Sequence, residues 1–108
     1  MNNTYLGRLG SDPALRFSEN GKAWMAVGFA IDVRVKEGDE WISKPIWTDL
    51  KIFGPMAEQV ASVVSKGSSL IVVGELHPTE YVNKEGDTVK GTQLIAQEVG
   101  MNIRFGLG

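Results

Sequence analysis

The sequence predicts an all-β domain with one helix, and three observations lead to that prediction. Apolar and polar residues alternate with a period of two along most of the chain, which is typical of half-buried strands. Only residues 54–67 have the spacing and the end residues of a helix. Thirteen glycines among 108 residues indicate many tight turns. We therefore expect one domain over residues 1–105, with residues 106–108 as a short C-terminal end.

The first two strands are bounded by turn-forming residues. Residues 2–9 predict a short apolar strand, which the turn sequence at 10–13 ends. The Asn-Gly pair at 20–21 favours the positive φ angles of a tight hairpin turn. A long strand then alternates over residues 24–35, and Gly28 in its interior predicts a bend of the kind that small barrels need. The predicted core face of this strand consists of Met25, Val27, Phe29, Ile31, Val33 and Val35.

The middle of the chain predicts a loop, a third strand and the helix. The polar tract 36–40 is expected to be a loop, and the third strand lies within residues 44–53. In the helix over residues 54–67, Pro55 suits the first position and Gly67 suits the C-terminal stop. The predicted apolar stripe of the helix consists of Met56, Val60, Val63 and Val64.

Two further strands complete the predicted fold. Residues 69–76 predict a buried strand, residues 83–87 predict the tip of a second hairpin, and residues 92–105 predict a last strand interrupted at Gly100. Three strands, one helix and two strands, in this order, are typical of the OB-fold. That fold is a five-stranded Greek-key barrel, here with the helix between strands 3 and 4. Another small barrel or an α+β domain is the alternative.

The third strand presents two chemically different faces, because alternate side chains of a strand point to opposite sides of the sheet. One face is predicted to be core: Ile46, Thr48, Leu50 and Ile52. The other face carries Trp47, Asp49, Lys51 and Phe53. Two large rings around a lysine are suited to stack on unpaired bases and to hold their phosphates. The alternative places the rings in the core, but it would leave the first face exposed.

Composition and charge limit the classes of function that the chain can have. The net charge of −2 counts against a nucleic-acid role, because such domains often carry a basic excess, although a local positive strip on an acidic body is compatible with one. Cysteine is absent, which excludes disulfides and thiolate metal sites. The sequence shows neither a signal peptide nor a run of ~18 apolar residues. We therefore expect a cytoplasmic protein without membrane contact.

Catalytic and cofactor-binding patterns are missing from the sequence. His77 is the only histidine, and no cluster of His, Asp and Glu is spaced to bind a metal. The thirteen carboxylates are scattered through turns rather than held as a pair. Nucleophile-elbow, Walker and dinucleotide motifs are also missing. We expect no cofactor, no metal and no enzymatic activity, and a surface or interface position for His77.

Eight short segments, taken with their order and spacing, match one known family. They are Leu6-Gly-Arg-Leu-Gly-Ser-Asp-Pro13, Leu15-Arg-Phe17, Asn20-Gly21, Trp47, Ile52-Phe-Gly54, Met56-Ala-Glu58, Lys66-Gly-Ser68 and Val73-Gly-Glu-Leu76. Together they resemble the bacterial and phage single-stranded-DNA-binding proteins of the tetrameric type. The similarity covers roughly residues 1–103, which is almost the whole chain.

This resemblance implies an OB-fold that wraps single-stranded DNA without strong sequence preference and performs no catalysis. It also implies a homotetramer, a role in DNA replication, recombination and repair, and a location at the nucleoid. Trp47 and Phe53 match family aromatics that stack on bases, and Tyr81 falls where the family usually has another aromatic. Lys51 is the first candidate for a phosphate contact, because it lies between the two rings. Further candidates are Arg8, Arg16, Arg34 and Lys84.

The chain departs from the family pattern in several places. Val35 falls near a position where many members have a further stacking tryptophan, and Trp41 is the candidate replacement. Asp49, and Pro78 with Glu80, occupy stretches that are commonly basic, which predicts weaker DNA binding or a shifted path. The chain ends without the acidic tail by which family members commonly recruit repair and replication enzymes. We therefore expect either a shortened chain or a minimal form that lacks this recruiting function.

Three points stay open at the level of sequence. Trp24 shares its strand face with small and polar residues, so we expect it to pack at a subunit interface or beneath a loop. A tetramer is expected, and a dimer is the alternative. The rival functions are a primosomal-type OB-fold adaptor, which binds replication proteins, and a small nuclease.

Overall fold

The computed structural model describes residues 1–106, so part of the predicted C-terminal end, residues 107–108, lies outside the described residues. One α-helix, α1, spans Pro55–Val63, and a short 3-10 helix spans Ile103–Phe105. The strands are β1 Asn3–Leu9, β2 Leu15–Phe17, β3 Ala23–Ile31, β4 Arg34–Glu37, β5 Glu40–Ser43, β6 Ile46–Phe53, β7 Ser69–Val82 and β8 Thr88–Met101. No helix of this described part is long and apolar enough to cross a membrane.

Five of the strands close into a barrel. β1 pairs antiparallel with both β3 and β7, β7 pairs antiparallel with β8, and β3 pairs antiparallel with β6. A parallel pairing of β6 with β8 completes the ring. The helix α1 follows β6 and precedes β7. The predicted OB-fold is confirmed, and β2 extends the sheet beside β3 while β4 and β5 form a separate two-stranded sheet.

The barrel interior is filled by alternate side chains of its strands. The largest fully buried side chains are Phe29, Met25, Leu50, Ile52, Leu70, Leu94 and Val72. From α1, Ala57 and Val60 are also buried in this core. Each large apolar side chain buried in this way stabilises the fold by about 1.5–3 kcal/mol. Of the predicted core residues, Val33 and Val35 are only half-buried, because β3 ends before them.

The predicted C-terminal end of the helix is wrong. The helix ends at Val63, four residues before Gly67, and Val64 is extended with φ −110° and ψ 156°. The backbone beyond the helix is held by other parts of the fold. The amide of Lys66 donates to Asp12 Oδ1 at 2.7 Å, and the amide of Gly67 donates to the Leu9 carbonyl at 2.8 Å. These contacts replace the last helical turn.

The predicted apolar stripe of the helix is partly wrong for the same reason. Val60 and Val64 are buried and Met56 is half-buried, but Val63 is 62% exposed. Ala57, which the stripe omitted, is fully buried. The early end of the helix turns Val63 away from the core while the extended backbone brings Val64 into it.

The predicted strand over residues 24–35 and the loop at 36–40 are also wrong in detail. β3 stops at Ile31, and the chain then reverses in a separate hairpin formed by β4 and β5. Gly38 has a φ of 65°, which supplies the tight turn between these strands. The segment at 36–40 is therefore the end of a β-hairpin that stands apart from the main sheet.

The last two strands are longer than the sequence predicts. β7 and β8 each contain 14 residues and run as one antiparallel hairpin, with a register shift between Val73 and Gly74. The predicted tip at 83–87 is confirmed: Asn83 Oδ1 accepts hydrogen bonds from the amides of Glu85 and Asp87. The predicted strand end at residue 105 is wrong, because residues 103–105 form the 3-10 turn.

Candidate nucleic-acid interface

The outer face of β6 carries the two aromatic rings that the sequence singled out. Trp47 is 59% exposed and Phe53 is 52% exposed, whereas Lys51 between them is half-buried. The alternate residues of the strand, Thr48, Leu50 and Ile52, are buried, while Ile46 at the end of the strand is exposed. The rings therefore lie on the surface of the barrel, roughly 20 Å apart at about 3.3 Å per residue.

The ring of Trp47 lies over two glycines. A Cβ atom built on Gly10 would stand 2.5 Å from Trp47 Cζ3, and one built on Gly28 would stand 3.5 Å from the same atom. The two glycines are joined by a hydrogen bond of 2.8 Å from the Gly10 amide to the Gly28 carbonyl. One side of the indole is thus covered by bare backbone, and the ring still keeps more than half its surface exposed. Gly10 and Gly28 together form a glycine seat, which holds the indole in place with its other side open to solvent.

An acidic residue is the nearest neighbour of Trp47 along its face of the strand. Asp49 is exposed and lies opposite Gly28 of β3 and Gln93 of β8. Trp47, Asp49 and Thr92 help to line a shallow cleft of about 250 Å³. Beneath it, the Thr92 hydroxyl donates a 2.7 Å hydrogen bond to the Thr48 hydroxyl, which links β8 to β6. Asp49 therefore places a negative charge beside Trp47.

Arg8 shares a cross-strand row with Trp47, and its guanidinium makes two contacts within the chain. Arg8 pairs with Ala30 of β3, and Ala30 pairs with Trp47 of β6. The Arg8 Nη1 donates to the Gly67 carbonyl at 3.1 Å. The guanidinium carbon also lies 4.7 Å from the centroid of the Phe105 ring, within cation–π distance. A phosphate that approached Arg8 would meet a guanidinium that keeps its charge, with one N–H group and one face occupied.

The Phe53 end of the same face has a different composition. Trp24 of β3 lies directly opposite Phe53 in the strand register, and its ring is half-buried. These two rings, Lys51 and Lys22 are among the residues that line a cleft of about 580 Å³. The remaining lining residues are Ser18, Ala23 and Gly54, so none of those found around this cleft is acidic. Positive charge and aromatic surface therefore occur together in this cleft.

Arg16 adds a third positive charge beside this cleft. It pairs with Trp24 across β2 and β3, and its guanidinium carbon lies 5.9 Å from the centroid of the indole. Cations at this distance from an indole face are attracted by the ring quadrupole. One row across β2, β3 and β6 therefore consists of Arg16, Trp24 and Phe53.

The other predicted site residues lie on the two hairpins that leave the barrel. Tyr81 is 61% exposed near the end of β7, and Lys84 is exposed in the hairpin tip. Tyr81 is paired with Val89 in the hairpin. Arg34 is exposed in β4, at the start of the separate two-stranded sheet. None of these three side chains belongs to the rows that contain Trp47 and Phe53.

The position of the missing family tryptophan is also on that separate sheet. Val35 is half-buried and pairs with Ile42, so it offers no ring to solvent. Trp41 on β5 is 65% exposed and lies opposite Lys36. Alternation along the hairpin places Arg34 on the same face as this pair. The hairpin thus carries an aromatic ring among basic groups.

A small ionic cluster lies on the outer face of β7. Glu75 forms an ion pair with the Met1 amino group at 3.0 Å, and its other carboxylate oxygen lies 3.2 Å from His77 Nε2. The hydrogen bond and charge of the Met1 amino group, with a smaller effect of His77, lower the pKa of Glu75. His77 is exposed, and within residues 1–106 no group of three or more His, Cys, Asp or Glu is placed to hold a metal ion.

Sequence reasoning missed Trp24 and Lys22 as parts of this surface. The alternation of β3 already placed Trp24 on the face opposite the core, together with Ala26, Gly28 and Ala30. What the sequence did not give was the register of β3 against β6, which brings Trp24 beside Phe53. Lys22 depends on the same register, because it directly precedes β3.

The closed barrel and its exposed aromatic face define the class of protein: an OB-fold domain, a class that often binds oligonucleotides or oligosaccharides. A sequence model of the single-strand binding protein family matches residues 1–102. The chain therefore belongs to the single-strand binding protein family, and the resemblance found in the sequence is confirmed.

Individual relatives agree with this membership. A single-stranded DNA-binding protein of Paenarthrobacter nicotinovorans is 31% identical over 105 residues, which cover 94% of this chain and 62% of that protein. Single-stranded DNA-binding protein 1 of Xylella fastidiosa is 32% identical over 98 residues, covering 89% of this chain and 72% of that protein. The chain thus spans less than two thirds of the Paenarthrobacter protein's length.

A solved structure shows the same fold. The crystal structure of a small single-stranded DNA-binding protein from Streptomyces coelicolor matches with a TM-score of 0.83. The match covers 98% of this chain and 97% of that one, at 16% sequence identity.

Proposed function

We propose that this protein binds single-stranded DNA without strong sequence preference and performs no catalysis. The observation that carries the proposal is the outer face of β6, where Trp47 and Phe53 are exposed on either side of Lys51. Each ring offers a flat apolar surface to a base, and stacking of one base contributes about 1–3 kcal/mol. Membership of the single-strand binding protein family supports the same role.

The basic residues would bind the phosphates of the strand whose bases the rings stack. Lys51 would neutralise the phosphates between the two stacked bases, because it lies between the rings. Arg8, Arg34 and Lys84 would add phosphate contacts further along the strand, Arg8 by exchanging its present partners. Tyr81, and Trp41 in place of the aromatic that Val35 lacks, would stack bases on the two hairpins.

Selectivity follows from the chemistry of stacking. Every base has a π face, so a stacking surface tolerates any sequence. Paired bases hide those faces within the double helix, so duplex DNA offers this surface only its backbone. We therefore expect strong preference for single strands and weak discrimination among them.

The biological role that fits is the protection of single strands during replication, recombination and repair, in the cytoplasm at the nucleoid. We further propose a homotetramer, with a dimer as the alternative. Two or three stacked bases per subunit give modest affinity, and several subunits on one strand would raise it through effective concentration.

The test is a titration of intrinsic tryptophan fluorescence with oligo-dT and with duplex of equal length, at two salt concentrations. We expect quenching by the single strand alone. The logarithm of the binding constant should fall linearly with the logarithm of the salt concentration, with a slope of ~0.7 for each phosphate contact. Absence of both quenching and binding would contradict the proposal.

The adaptor is the second candidate, and two observations favour it. Asp49 is exposed beside Trp47, and Arg8 is engaged by Gly67 and Phe105. Asp49 repels phosphates at that end of the face, and the two contacts of Arg8 restrict the movement of its guanidinium. The double variant Trp47→Ala/Phe53→Ala separates the functions, because a strand-binding protein would lose DNA whereas an adaptor would keep its protein partner.

A further inference from the structure

We propose that the cleft between Trp24 and Phe53 is a distinct nucleotide subsite, in which Trp24 stacks one base of the bound strand while Lys22 and Lys51 hold its phosphates. This inference rests on the proposed function, since it assigns part of the strand to a second place on the barrel. It gives Trp24 a role in binding DNA rather than in packing between subunits.

The first support is the pairing of the two rings. Trp24 and Phe53 are directly opposite each other on adjacent antiparallel strands, where Cβ atoms stand about 4.5–5.5 Å apart. Both point to the outside of the barrel, because their neighbours Met25 and Ile52 are fully buried. Two aromatic surfaces therefore border one open cleft.

The second support is the size of the cleft. Its volume of about 580 Å³ lies within the range of ~300–1,000 Å³ that is typical of pockets for small molecules. The cleft beside Trp47, by contrast, has about 250 Å³. The larger cleft has room for a base with its sugar and phosphate, whereas Trp47 offers mainly a flat surface.

The third support is charge. Lys22 and Lys51 line the cleft, and Arg16 lies on the Trp24 ring 5.9 Å from its centroid. The lining residues include no carboxylate. In a chain with a net charge of −2, this local concentration of positive charge is complementary to phosphate.

A nucleotide within a strand fits this cleft better than an isolated anion does. Lys51 faces both the cleft and the segment of β6 between Trp47 and Phe53, so a strand running along β6 reaches the cleft without a break. Aromatic walls add nothing to the binding of a bare anion, but they stack a base.

The decisive experiment uses proteins with a single tryptophan. In Trp41→Phe/Trp47→Phe, only Trp24 fluoresces, and binding of labelled oligo-dT is followed in parallel by anisotropy. We expect Trp24 to be quenched over the same DNA concentrations at which anisotropy rises. Binding without any change at Trp24 would overturn the inference and leave the proposed function intact. If the wild-type protein binds no DNA at all, the proposed function itself fails.

Affinity measurements provide the second arm. Trp24→Ala should weaken oligo-dT binding by about 5- to 150-fold, while Trp24→Phe, which keeps a ring, should retain most of the affinity. Phe17→Ala is the matched control, because Phe17 is an exposed aromatic on the adjacent β2 and does not line the cleft. Unchanged affinity in a folded Trp24→Ala protein would contradict the inference.

The salt dependence isolates the phosphate contact. Lys22→Gln should lower the slope of log affinity against log salt by ~0.7, because one phosphate contact is removed. Thermal unfolding shows whether each variant is folded, and the Trp24-only protein keeps the test valid even if Trp24→Ala does not fold. A slope unchanged in Lys22→Gln would remove Lys22 from the subsite.

Discussion

The two ends of the β6 outer face use different means to present an aromatic ring. At one end Trp47 lies on the bare backbone of Gly10 and Gly28, beside the carboxylate of Asp49. At the other end Phe53 lies beside Trp24, and both rings line a larger cleft together with Lys22 and Lys51. The first end offers a rigid surface with little positive charge, and the second offers depth and charge.

This contrast indicates that stacking and phosphate binding need not be distributed evenly over one binding face. The chain has a net negative charge, yet Lys22, Lys51 and Arg16 lie together at one cleft. A strand would be held in place mainly by its phosphates at the Phe53 end and mainly by stacking at the Trp47 end, where Arg8 adds a single basic group. Four predictions test how separate these ends are.

The largest expected effect comes from removing both rings of β6. Trp47→Ala/Phe53→Ala should lose about 2–6 kcal/mol of binding free energy, which is the sum of two stacks of about 1–3 kcal/mol each. The losses should add, because groups more than ~7–10 Å apart with no shared partner are usually independent. Trp24→Ala/Phe53→Ala should lose less than its sum, since both rings serve one cleft. Oligo-dT titrations at fixed salt of the wild type, the three single variants and the two double variants measure these binding free energies; strong coupling between Trp47 and Phe53 would refute the separation.

The next effect concerns the glycine seat of Trp47. Gly10→Ala should displace the indole, because the new Cβ would stand 2.5 Å from Trp47 Cζ3, and should cost up to about 1–3 kcal/mol of DNA binding. Gly28→Ala is the matched control, since its Cβ would stand at an ordinary 3.5 Å from the same atom. Titration of both variants with oligo-dT, after a check of thermal stability, compares them. Equal losses in the two would show that the 2.5 Å contact at Gly10 does not determine the loss.

A smaller effect is expected from the charge between the rings. Lys51→Gln should weaken binding at low salt and lower the salt slope by ~0.7, because one phosphate contact disappears. Lys66→Gln removes the same charge from the turn after α1, where only the Lys66 backbone is engaged, by Asp12. Affinities at several salt concentrations give both slopes. An equal fall of the slope in Lys66→Gln would mean that the salt dependence reflects the net charge of the protein and not the position of Lys51.

The smallest effect concerns the carboxylate at the Trp47 end. Asp49→Asn should strengthen DNA binding by about 0.2–1 kcal/mol at low salt, the range of exposed charge interactions, and high salt should screen the gain. Asp39→Asn in the turn between β4 and β5 makes the same charge change away from this face. Parallel titrations at low and high salt test it. A gain that persists at high salt would point to a cause other than charge.

Local patterns predicted those features that depend on neighbours in sequence. Alternation alone placed Trp47 and Phe53 on the outside of β6, because a strand has a fixed period of two. The tip at 83–87 was likewise predictable from its turn residues, and Asn83 accepts the hydrogen bonds of such a turn. The order of strands and helix then indicated the OB-fold.

Features that depend on distant contacts were not predictable in the same way. The helix ends at Val63 because β1 and the following turn take over the next amides, as in the bond from Gly67 to Leu9. Trp24 meets Phe53 only through the register of β3 on β6. Arg8 was a candidate for a phosphate contact, and the ring of Phe105, near the other end of the described chain, lies against it. No local pattern contains these contacts.

The closure of the barrel has a consequence for how the chain folds. β1 is synthesised first, yet one of its partners is β7, with Arg8 paired to Ser69 and Asn3 paired to Gly74. Until β7 emerges, β1 has an open edge whose amides and carbonyls attract other extended chains. Pairings of such long sequence separation are slow to form, on the order of milliseconds to seconds. The hairpins should therefore form early, and aggregation of nascent chains should compete mainly with the final pairing of β1 with β7.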